Sequence, residues 1–129
     1  MDFYIGGIFQ GKLDAAKKNN PQFKIVDGED FEKILLMKNQ KVIWNDFNLG
    51  VKKFFQAGKD FAFIKEKFEE VIEKNPDSVF ISCEIGCGIV PLEKFDRDYR
   101  EITGRLQTFA AQKARKVFRV NCGILTRLK

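Results

Sequence analysis

The sequence predicts an α/β fold, in which helices flank a mainly parallel sheet that ends in an antiparallel strand at its C-terminal edge. Short apolar runs alternate with longer segments of helical periodicity along the chain, a pattern typical of parallel strands joined by helices. Val79–Cys83 is an apolar run, as expected of a strand that is buried on both faces. Residues 124–129 alternate between the two sides of a strand, which is typical of a sheet edge.

The first half of the chain predicts three strands and three helices. The strands are expected at residues 2–5, 23–26 and 41–44, and the helices at residues 11–19, 31–37 and 49–56. Asn20 and Pro21 stop the first helix, and Asp30 is placed to cap the second. Gly58 follows the third helix in the position of a helix terminator.

The second half predicts two longer helices and the remaining strands. Asp60 is placed to cap the first of these helices, whose apolar face carries Phe61, Ile64, Phe68, Val71 and Ile72. Pro91 is expected to open the longest helix, with an apolar seam of Leu92, Phe95, Tyr99, Ile102, Leu106 and Phe109. We expect this seam to dock on the sheet, with another subunit as the alternative. Residues 117–122 and 124–129 are predicted to form the last two strands.

The chain has the length and composition of a folded domain, and a single domain over residues 1–129 is predicted. Its 14 phenylalanines carry enough apolar area to thicken a small core. The sequence contains no histidine. Mechanisms that need an imidazole as a base, a metal ligand or a covalent phosphate carrier are therefore excluded.

The cysteines and the hydropathy indicate a cytoplasmic protein. Three cysteines make an odd count with no signal peptide before them, which favours a reducing compartment over a disulfide scaffold. Cys83 and Cys87 are a poor zinc site without histidine, and both are predicted to be small, mostly buried residues. No apolar run approaches the roughly 20 residues that span a bilayer, so no membrane partner is expected.

The net charge of +5 is unevenly distributed. Residues 100–129 contain eight Lys/Arg and one acidic residue, a net of +7, so the first 99 residues carry a net charge of −2. A basic C-terminal third is able to contact the phosphates of a nucleotide or of a polynucleotide. The interpretation as a solvated helix face with an ordinary basic tail is favoured, and nucleic acid is not an expected partner.

The strongest local signal is the segment G-G-I-F-Q-G-K-L at residues 6–13, which fits the phosphate-loop pattern G-x-x-x-x-G-K. It lies between a predicted strand and a predicted helix, where glycines let successive N–H groups point at phosphate oxygens. The helix N-terminus adds partial positive charge, and Lys12 neutralises the terminal phosphates. The predicted nucleotide-binding residues are Gly6, Gly7, Ile8, Phe9, Gln10, Gly11, Lys12 and Leu13.

The Mg²⁺ positions of this pattern are altered. Leu13 occupies the place of the Ser or Thr whose hydroxyl binds the metal ion. Asn45 follows another predicted strand, where an acidic metal ligand is expected, and carries no charge. Asp46 is one residue further on, and points to the opposite face if the strand continues. Asp46 as a metal ligand and Asp46 as a helix cap or turn residue are equally favoured.

Glu84 lies with glycines just beyond the buried strand at residues 79–83, at the sheet edge where open α/β folds bind ligands. It is placed either to hold Mg²⁺ through water or to orient an acceptor hydroxyl. The predicted catalytic residues are therefore Lys12, Asp46 and Glu84, and the predicted Mg²⁺ ligands are Asp46 and Glu84.

Residues 84–91, E-I-G-C-G-I-V-P, closely resemble the E-V-G-x-G-I-V-P segment of the bifunctional adenosylcobinamide kinase/adenosylcobinamide-phosphate guanylyltransferase family. The resemblance continues through R-D-Y-R-E-I-T-G-R-L at residues 97–106 and through the closing residues 117–129. Gly6-Gly7 and Gly11-Lys12 match the phosphate loop of that family. The matching segments occur in the same order along the chain, which a chance motif does not produce.

The resemblance implies a three-layer, RecA-like P-loop NTPase that uses ATP or GTP with Mg²⁺ to phosphorylate the aminopropanol arm of adenosylcobinamide. In this family GMP is then attached to the product, for the last steps of cobalamin (vitamin B12) assembly. The resemblance also implies a symmetric homotrimer. In such a trimer the neighbouring subunit is a second surface against which the long apolar seam can pack.

The departures from the family leave two hypotheses. Family members are longer between the phosphate loop and the third strand, in the region whose histidine takes GMP covalently, so guanylyltransferase activity through that residue is not expected here. Leu13, Asn45 and Gln107 replace the family's serine, aspartate and asparagine. The chain is then either a cobinamide kinase without guanylyltransferase activity, or a catalytically inactive relative that binds a nucleotide or corrinoid or joins an oligomer.

Overall fold

The computed structural model describes residues 1–129 and contains six strands and five helices. In chain order they are β1 (Asp2–Gly6), α1 (Lys12–Asn19), β2 (Lys24–Asp27), α2 (Phe31–Leu36), β3 (Val42–Asn45), α3 (Phe47–Gln56), α4 (Phe61–Lys74), β4 (Val79–Cys83), α5 (Lys94–Lys113), β5 (Lys116–Asn121) and β6 (Ile124–Arg127). None of the helices is long and apolar enough to cross a membrane.

The six strands form one sheet in the order β2-β3-β4-β1-β5-β6. All neighbouring pairs are parallel except β5 and β6, which are antiparallel. The prediction of a mainly parallel sheet with an antiparallel C-terminal edge strand is confirmed, and the architecture is consistent with a P-loop NTPase fold. Because β4 lies between β1 and β3, the segments that leave the carboxyl ends of these three strands meet at one edge of the sheet.

Side chains alternate across the strands and supply a core on each face of the sheet. The larger core joins α2, α3, α4 and α5 to one face and is rich in aromatic rings. Trp44 lies at its centre, with the rings of Phe31, Phe47, Phe68 and Phe80 within 4.8–5.7 Å of its own. The smaller core lies on the opposite face, where Ala16 of α1 joins buried strand residues such as Tyr4 and Ile81.

The long helix α5 begins three residues later than predicted. Pro91 and Leu92 precede it, and the Leu92 side chain is 95% exposed, so Leu92 is not part of the apolar seam. Arg97 donates to the carbonyl oxygen of Pro91 and Arg100 to that of Ile89, which holds the incoming loop outside the helix. The rest of the seam packs against the larger core, as expected of docking within the chain.

The helix ends reflect local capping chemistry. Asp60 caps α4 by accepting a hydrogen bond from Phe63 N at 2.9 Å, as predicted. Gly58 ends α3 in the left-handed region with φ 75°, where its N–H and that of Lys59 donate to carbonyl oxygens of the last turn. Asp30 occupies the N-cap position of α2, but its side chain makes no capping hydrogen bond, so the predicted cap is wrong.

The Phe68 side chain is expected to be a major determinant of stability. It is fully buried, and its ring centroid lies 4.7 Å from that of Phe47 and 5.6 Å from that of Phe80. Phe68→Ala removes these contacts and leaves a cavity, so the free energy of unfolding should fall by about 3–5 kcal/mol in urea titrations. Phe9→Ala is the control, since the Phe9 side chain is 98% exposed, and equal losses in both variants would contradict the prediction.

Candidate functional site

A pocket of about 310 Å³ lies at the carboxyl end of the sheet, between the 6–13 loop and the end of β3. Its lining residues are Phe9, Gln10, Gly11, Lys12, Leu13, Asp14, Asn45 and Asp46. The structure thus brings together two segments that the sequence analysis singled out separately. A larger pocket of about 530 Å³ between α2 and α3 is lined mainly by charged surface residues and includes none of the predicted site residues.

The 6–13 loop connects the end of β1 to the start of α1. Gly11 is the N-cap residue of α1 and has φ 83°, in the left-handed region that favours glycine. The side chains of Ile8 and Phe9 are 63% and 98% exposed, so they point away from the core. Residues 9–13 of the loop line the pocket, whereas Ile8 is not among the lining residues.

Lys12 is the first residue of α1 and is buried. Its Nζ atom donates to the carbonyl oxygen of Gly7 at 2.8 Å and to the Sγ atom of Cys83 at 3.1 Å. The ammonium group is thus folded back onto its own loop. It has two neutral partners in this position and no carboxylate within ion-pair distance, so its charge is uncompensated by an anion.

Asp46 lies immediately beyond β3 and lines the same pocket. The strand ends at Asn45, and Asp46 has φ 53°, so the alternation that would have turned its side chain to the opposite face does not continue. Its Oδ1 atom accepts a hydrogen bond from the thiol of Cys83 at 3.1 Å. The backbone at Asp46 is closely packed, because a Cβ atom at position 28 would overlap the Asp46 carbonyl oxygen and only Gly28 fits there.

Cys83 lies between Lys12 and Asp46, two of the three charged residues that line the pocket. It is the last residue of β4, directly opposite Gly6 of β1, and it is buried. Burial raises the pKa of its thiol above the ordinary range, while the nearby Lys12 ammonium acts in the opposite direction. The thiol form, which has a proton to donate to Asp46, is therefore favoured at neutral pH. Cys87 is exposed, so the prediction of a mostly buried residue is correct for Cys83 and wrong for Cys87.

Glu84 follows Cys83 but its side chain belongs to a different pocket. Its Oε2 atom forms an ion pair with Nη2 of Arg119 at 3.0 Å, beside a pocket of about 300 Å³ between α5 and the β1–β5 part of the sheet. Asp46 is not among the residues that line that pocket. The chain contains no cluster of three or more His, Cys, Asp or Glu residues suited to a metal ion. A Mg²⁺ site that uses both Asp46 and Glu84 stays a prediction.

Leu13 offers the pocket only an apolar surface. Its side chain is partly buried and packs against the smaller core, while it also lines the pocket next to Lys12. The leucine thus extends the packing between α1 and the sheet. It supplies no oxygen atom for a cation.

The tight turn between β5 and β6 is bonded to the 6–13 loop, a contact that sequence analysis missed. Cys122 and Gly123 have φ 50° and 76°, and both of their N–H groups face Gln10. The Cys122 N–H donates to Gln10 Oε1 at 2.6 Å, and the Gly123 N–H donates to the Gln10 carbonyl oxygen at 2.9 Å. The only sequence signal for this contact is the Cys-Gly pair, which is compatible with a tight hairpin turn but identifies no partner.

A buried polar network fixes the end of β4 from the opposite face. Asn48 Oδ1 accepts hydrogen bonds from Cys83 N at 3.0 Å and from Ser82 Oγ at 3.3 Å. Gln107 donates to Ser82 Oγ at 2.9 Å and to the Cys83 carbonyl oxygen at 2.8 Å, and Tyr99 donates to the Asn48 carbonyl oxygen at 2.8 Å. The backbone of Cys83 is thus held by both α3 and α5.

Comparison with protein families gives one assignment. The sequence model of the family described as cobinamide kinase / cobinamide phosphate guanyltransferase matches residues 14–128 of this chain. A search of curated proteins finds no match. The matched residues include Asp46, Cys83 and Glu84 and begin just after Leu13. The match thus covers the chain from the first turn of α1 onwards and leaves the 6–13 loop outside it.

Gln10 is expected to protect the amide of the hairpin turn. Gln10→Ala removes the acceptor of the Cys122 N–H but leaves the backbone bond to Gly123, so the fold should persist. Loss of one hydrogen bond worth about 1 kcal/mol should make the Cys122 amide proton exchange about fivefold faster, as measured by NMR. Gln56→Ala, an exposed change on α3, should leave that rate unchanged. Equal rates in the wild type and in Gln10→Ala would refute the contact.

Proposed function

Because the chain belongs to the cobinamide kinase / cobinamide phosphate guanyltransferase family, we propose that it binds ATP or GTP at the 6–13 loop and acts as a cobinamide-kinase-type protein of cobalamin biosynthesis. The observation that supports this most directly is the pocket between the loop and Asp46, into which the start of α1 opens. The proposed acceptor is the aminopropanol hydroxyl of adenosylcobinamide.

In this proposal, the nucleotide's phosphates lie against the backbone N–H groups of the loop and the N-terminus of α1. Lys12 leaves the carbonyl oxygen of Gly7 and turns its ammonium group to the terminal phosphates. Because this carbonyl oxygen is neutral, the exchange replaces a hydrogen bond to a neutral atom with stronger, charge-assisted ones. This difference in bond strength favours phosphate binding.

Asp46 is the residue that fits a Mg²⁺ ion best. Its Oδ2 atom has only the amide of Asn45 at 3.4 Å as a partner, and it belongs to the lining of the pocket. Mg²⁺ in nucleotide sites is commonly bound by one or two carboxylates together with substrate phosphates and water. When bound, the ion neutralises charge on the phosphates. Leu13 and Asn45 contribute no charge to it.

Glu84 is proposed to act on the acceptor. The acceptor oxygen forms a bond to the γ-phosphorus, the bond from that phosphorus to the β–γ bridging oxygen breaks, and the hydroxyl proton passes to the Glu84 carboxylate. The nucleoside diphosphate leaves. This role requires Glu84 to release Arg119 and to turn from the pocket that these two residues line towards the 6–13 loop. Transfer of GMP through a histidine is not part of the proposal, since the sequence contains none.

The second candidate is a catalytically inactive relative that binds a nucleotide or corrinoid, or that joins an oligomer. The packing of Leu13 against the smaller core favours it, because the position normally occupied by a metal-binding hydroxyl is committed to the core. Phosphate binding needs only the loop amides and Lys12, whereas phosphoryl transfer relies on charge neutralisation by the metal ion.

Lys12 is expected to be required for nucleotide binding. Lys12→Ala removes the only ammonium group in the pocket lining, so the affinity for ATP and GTP should fall by about 10- to 100-fold, as expected from the loss of charge-assisted hydrogen bonds. Calorimetry measures the change. Lys17→Ala, an exposed substitution in the last turn of α1, is the matched control. If the two variants bind equally well, the loop is not the nucleotide site.

Leu13→Ser tests whether weak binding of the metal ion limits nucleotide affinity and phosphate transfer. The new hydroxyl supplies the missing ligand, so Mg²⁺-dependent nucleotide affinity and the rate of phosphate transfer to adenosylcobinamide should each rise by about tenfold. Product formation is followed by mass spectrometry, with Leu13→Ala controlling for the loss of packing. Nucleotide binding without product in either the wild type or Leu13→Ser, even after long incubation, would favour the inactive relative.

A further inference from the structure

We propose that Cys83 is a positioning residue of the nucleotide site, whose thiol links the Lys12 ammonium to the Asp46 carboxylate and keeps the two groups apart. The inference rests on the proposed function, because it assigns a role within that same site. It goes beyond that function because it assigns a role to the Cys83 thiol, which neither the sequence around Cys83 nor the burial of the residue indicates.

The contacts of the sulfur atom carry the inference. Lys12 Nζ donates to Sγ at 3.1 Å, and the thiol in turn donates to Asp46 Oδ1 at 3.1 Å. Lys12 and Asp46 form no direct ion pair, although both line one pocket. The sulfur atom of Cys83 therefore accepts from the Lys12 ammonium and donates to the Asp46 carboxylate.

The sulfur atom is held in this place by its backbone. The N–H of Cys83 is bonded to Asn48 and its carbonyl oxygen to Gln107, at 3.0 Å and 2.8 Å, and the residue pairs with Gly6 in the sheet. Anchoring by α3, α5 and β1 fixes the backbone of Cys83 and therefore the direction in which its side chain leaves the strand. The position of the sulfur, and with it the spacing of Lys12 and Asp46, is built into the fold.

The chemistry of a thiol suits this task. Sulfur is a weak acceptor, so it directs the Lys12 ammonium without binding it strongly. A carboxylate in direct contact would hold the ammonium by charge attraction and would compete with the incoming phosphates. Because the thiol also donates to one oxygen of Asp46, it fixes the carboxylate with the other oxygen available to a cation. Cys83 thus leaves the Lys12 ammonium and the Asp46 carboxylate available to bind a ligand and prevents them from pairing with each other.

The test compares substitutions of Cys83 in the full chain by calorimetric titration with ATP and with GTP, with and without Mg²⁺. Cys83→Ala and Cys83→Val remove both hydrogen bonds, and Val keeps most of the buried volume. Each should weaken Mg²⁺–nucleotide binding by about tenfold. Cys83→Ser retains a donor and an acceptor and should restore binding to within about threefold of the wild type. Cys87→Ala, an exposed cysteine, controls for removal of a thiol.

The outcomes separate this inference from the proposed function. If the wild-type chain binds neither ATP nor GTP, the proposed function and the role of Cys83 are both overturned. If the wild type binds nucleotide and Cys83→Ala or Cys83→Val binds it equally well, only the role of Cys83 is overturned. If Cys83→Ser binds nucleotide as weakly as Cys83→Ala, the role of Cys83 is also overturned, because the loss then reflects the packing of the sulfur atom and not its hydrogen bonds. Thermal unfolding of each variant identifies the folded ones, and Cys83→Val decides the question if Cys83→Ala does not fold.

Discussion

The parallel pairing of β4 between β1 and β3 is the constraint on which the candidate site depends. It sets Gly6 opposite Cys83 and brings the ends of three strands together at one edge of the sheet. Side chains alternate along a strand, so a shift of β4 by one residue would move the Cys83 side chain to the opposite face. Lys12 and Asp46 would then lose the group that links them. Strand register, rather than any single loop, thus determines which polar groups meet in the pocket.

The loops keep this arrangement because other parts of the chain fix them by backbone contacts. Gly28 packs against the carbonyl oxygen of Asp46, while the hairpin turn donates two N–H groups to Gln10. Each contact comes from a neighbouring segment distant in sequence. A pocket held in this way is largely preformed, which reduces the ordering entropy that a ligand must overcome on binding.

The sheet and most of its helices could be predicted because hydrophobic periodicity and capping residues are local signals. Proline before an apolar seam predicted that α5 begins at Pro91. Arg97 and Arg100 instead bind carbonyl groups of the preceding segment, and hydrophobic periodicity carries no signal for these side-chain contacts. The direction of the Asp46 side chain could not be predicted from the sequence either, because the left-handed conformation of Asp46 after β3 ends the alternation of side chains along the strand. The role of Cys83 depends on three segments meeting in space, and a sequence without known neighbours cannot reveal it.

The altered metal positions affect binding and catalysis unequally in the proposed function. Phosphate recognition draws on loop amides, the start of α1 and Lys12, all of which are retained. Phosphoryl transfer additionally needs a cation that stabilises the charge developing as the bridging bond breaks, and in the proposal Asp46 is the carboxylate that holds it. In the proposal, a site with few metal ligands therefore loses transition-state stabilisation more than ground-state affinity. Leu13 also packs against the smaller core, so a hydroxyl residue at this position would gain a metal ligand at a cost in packing between α1 and the sheet.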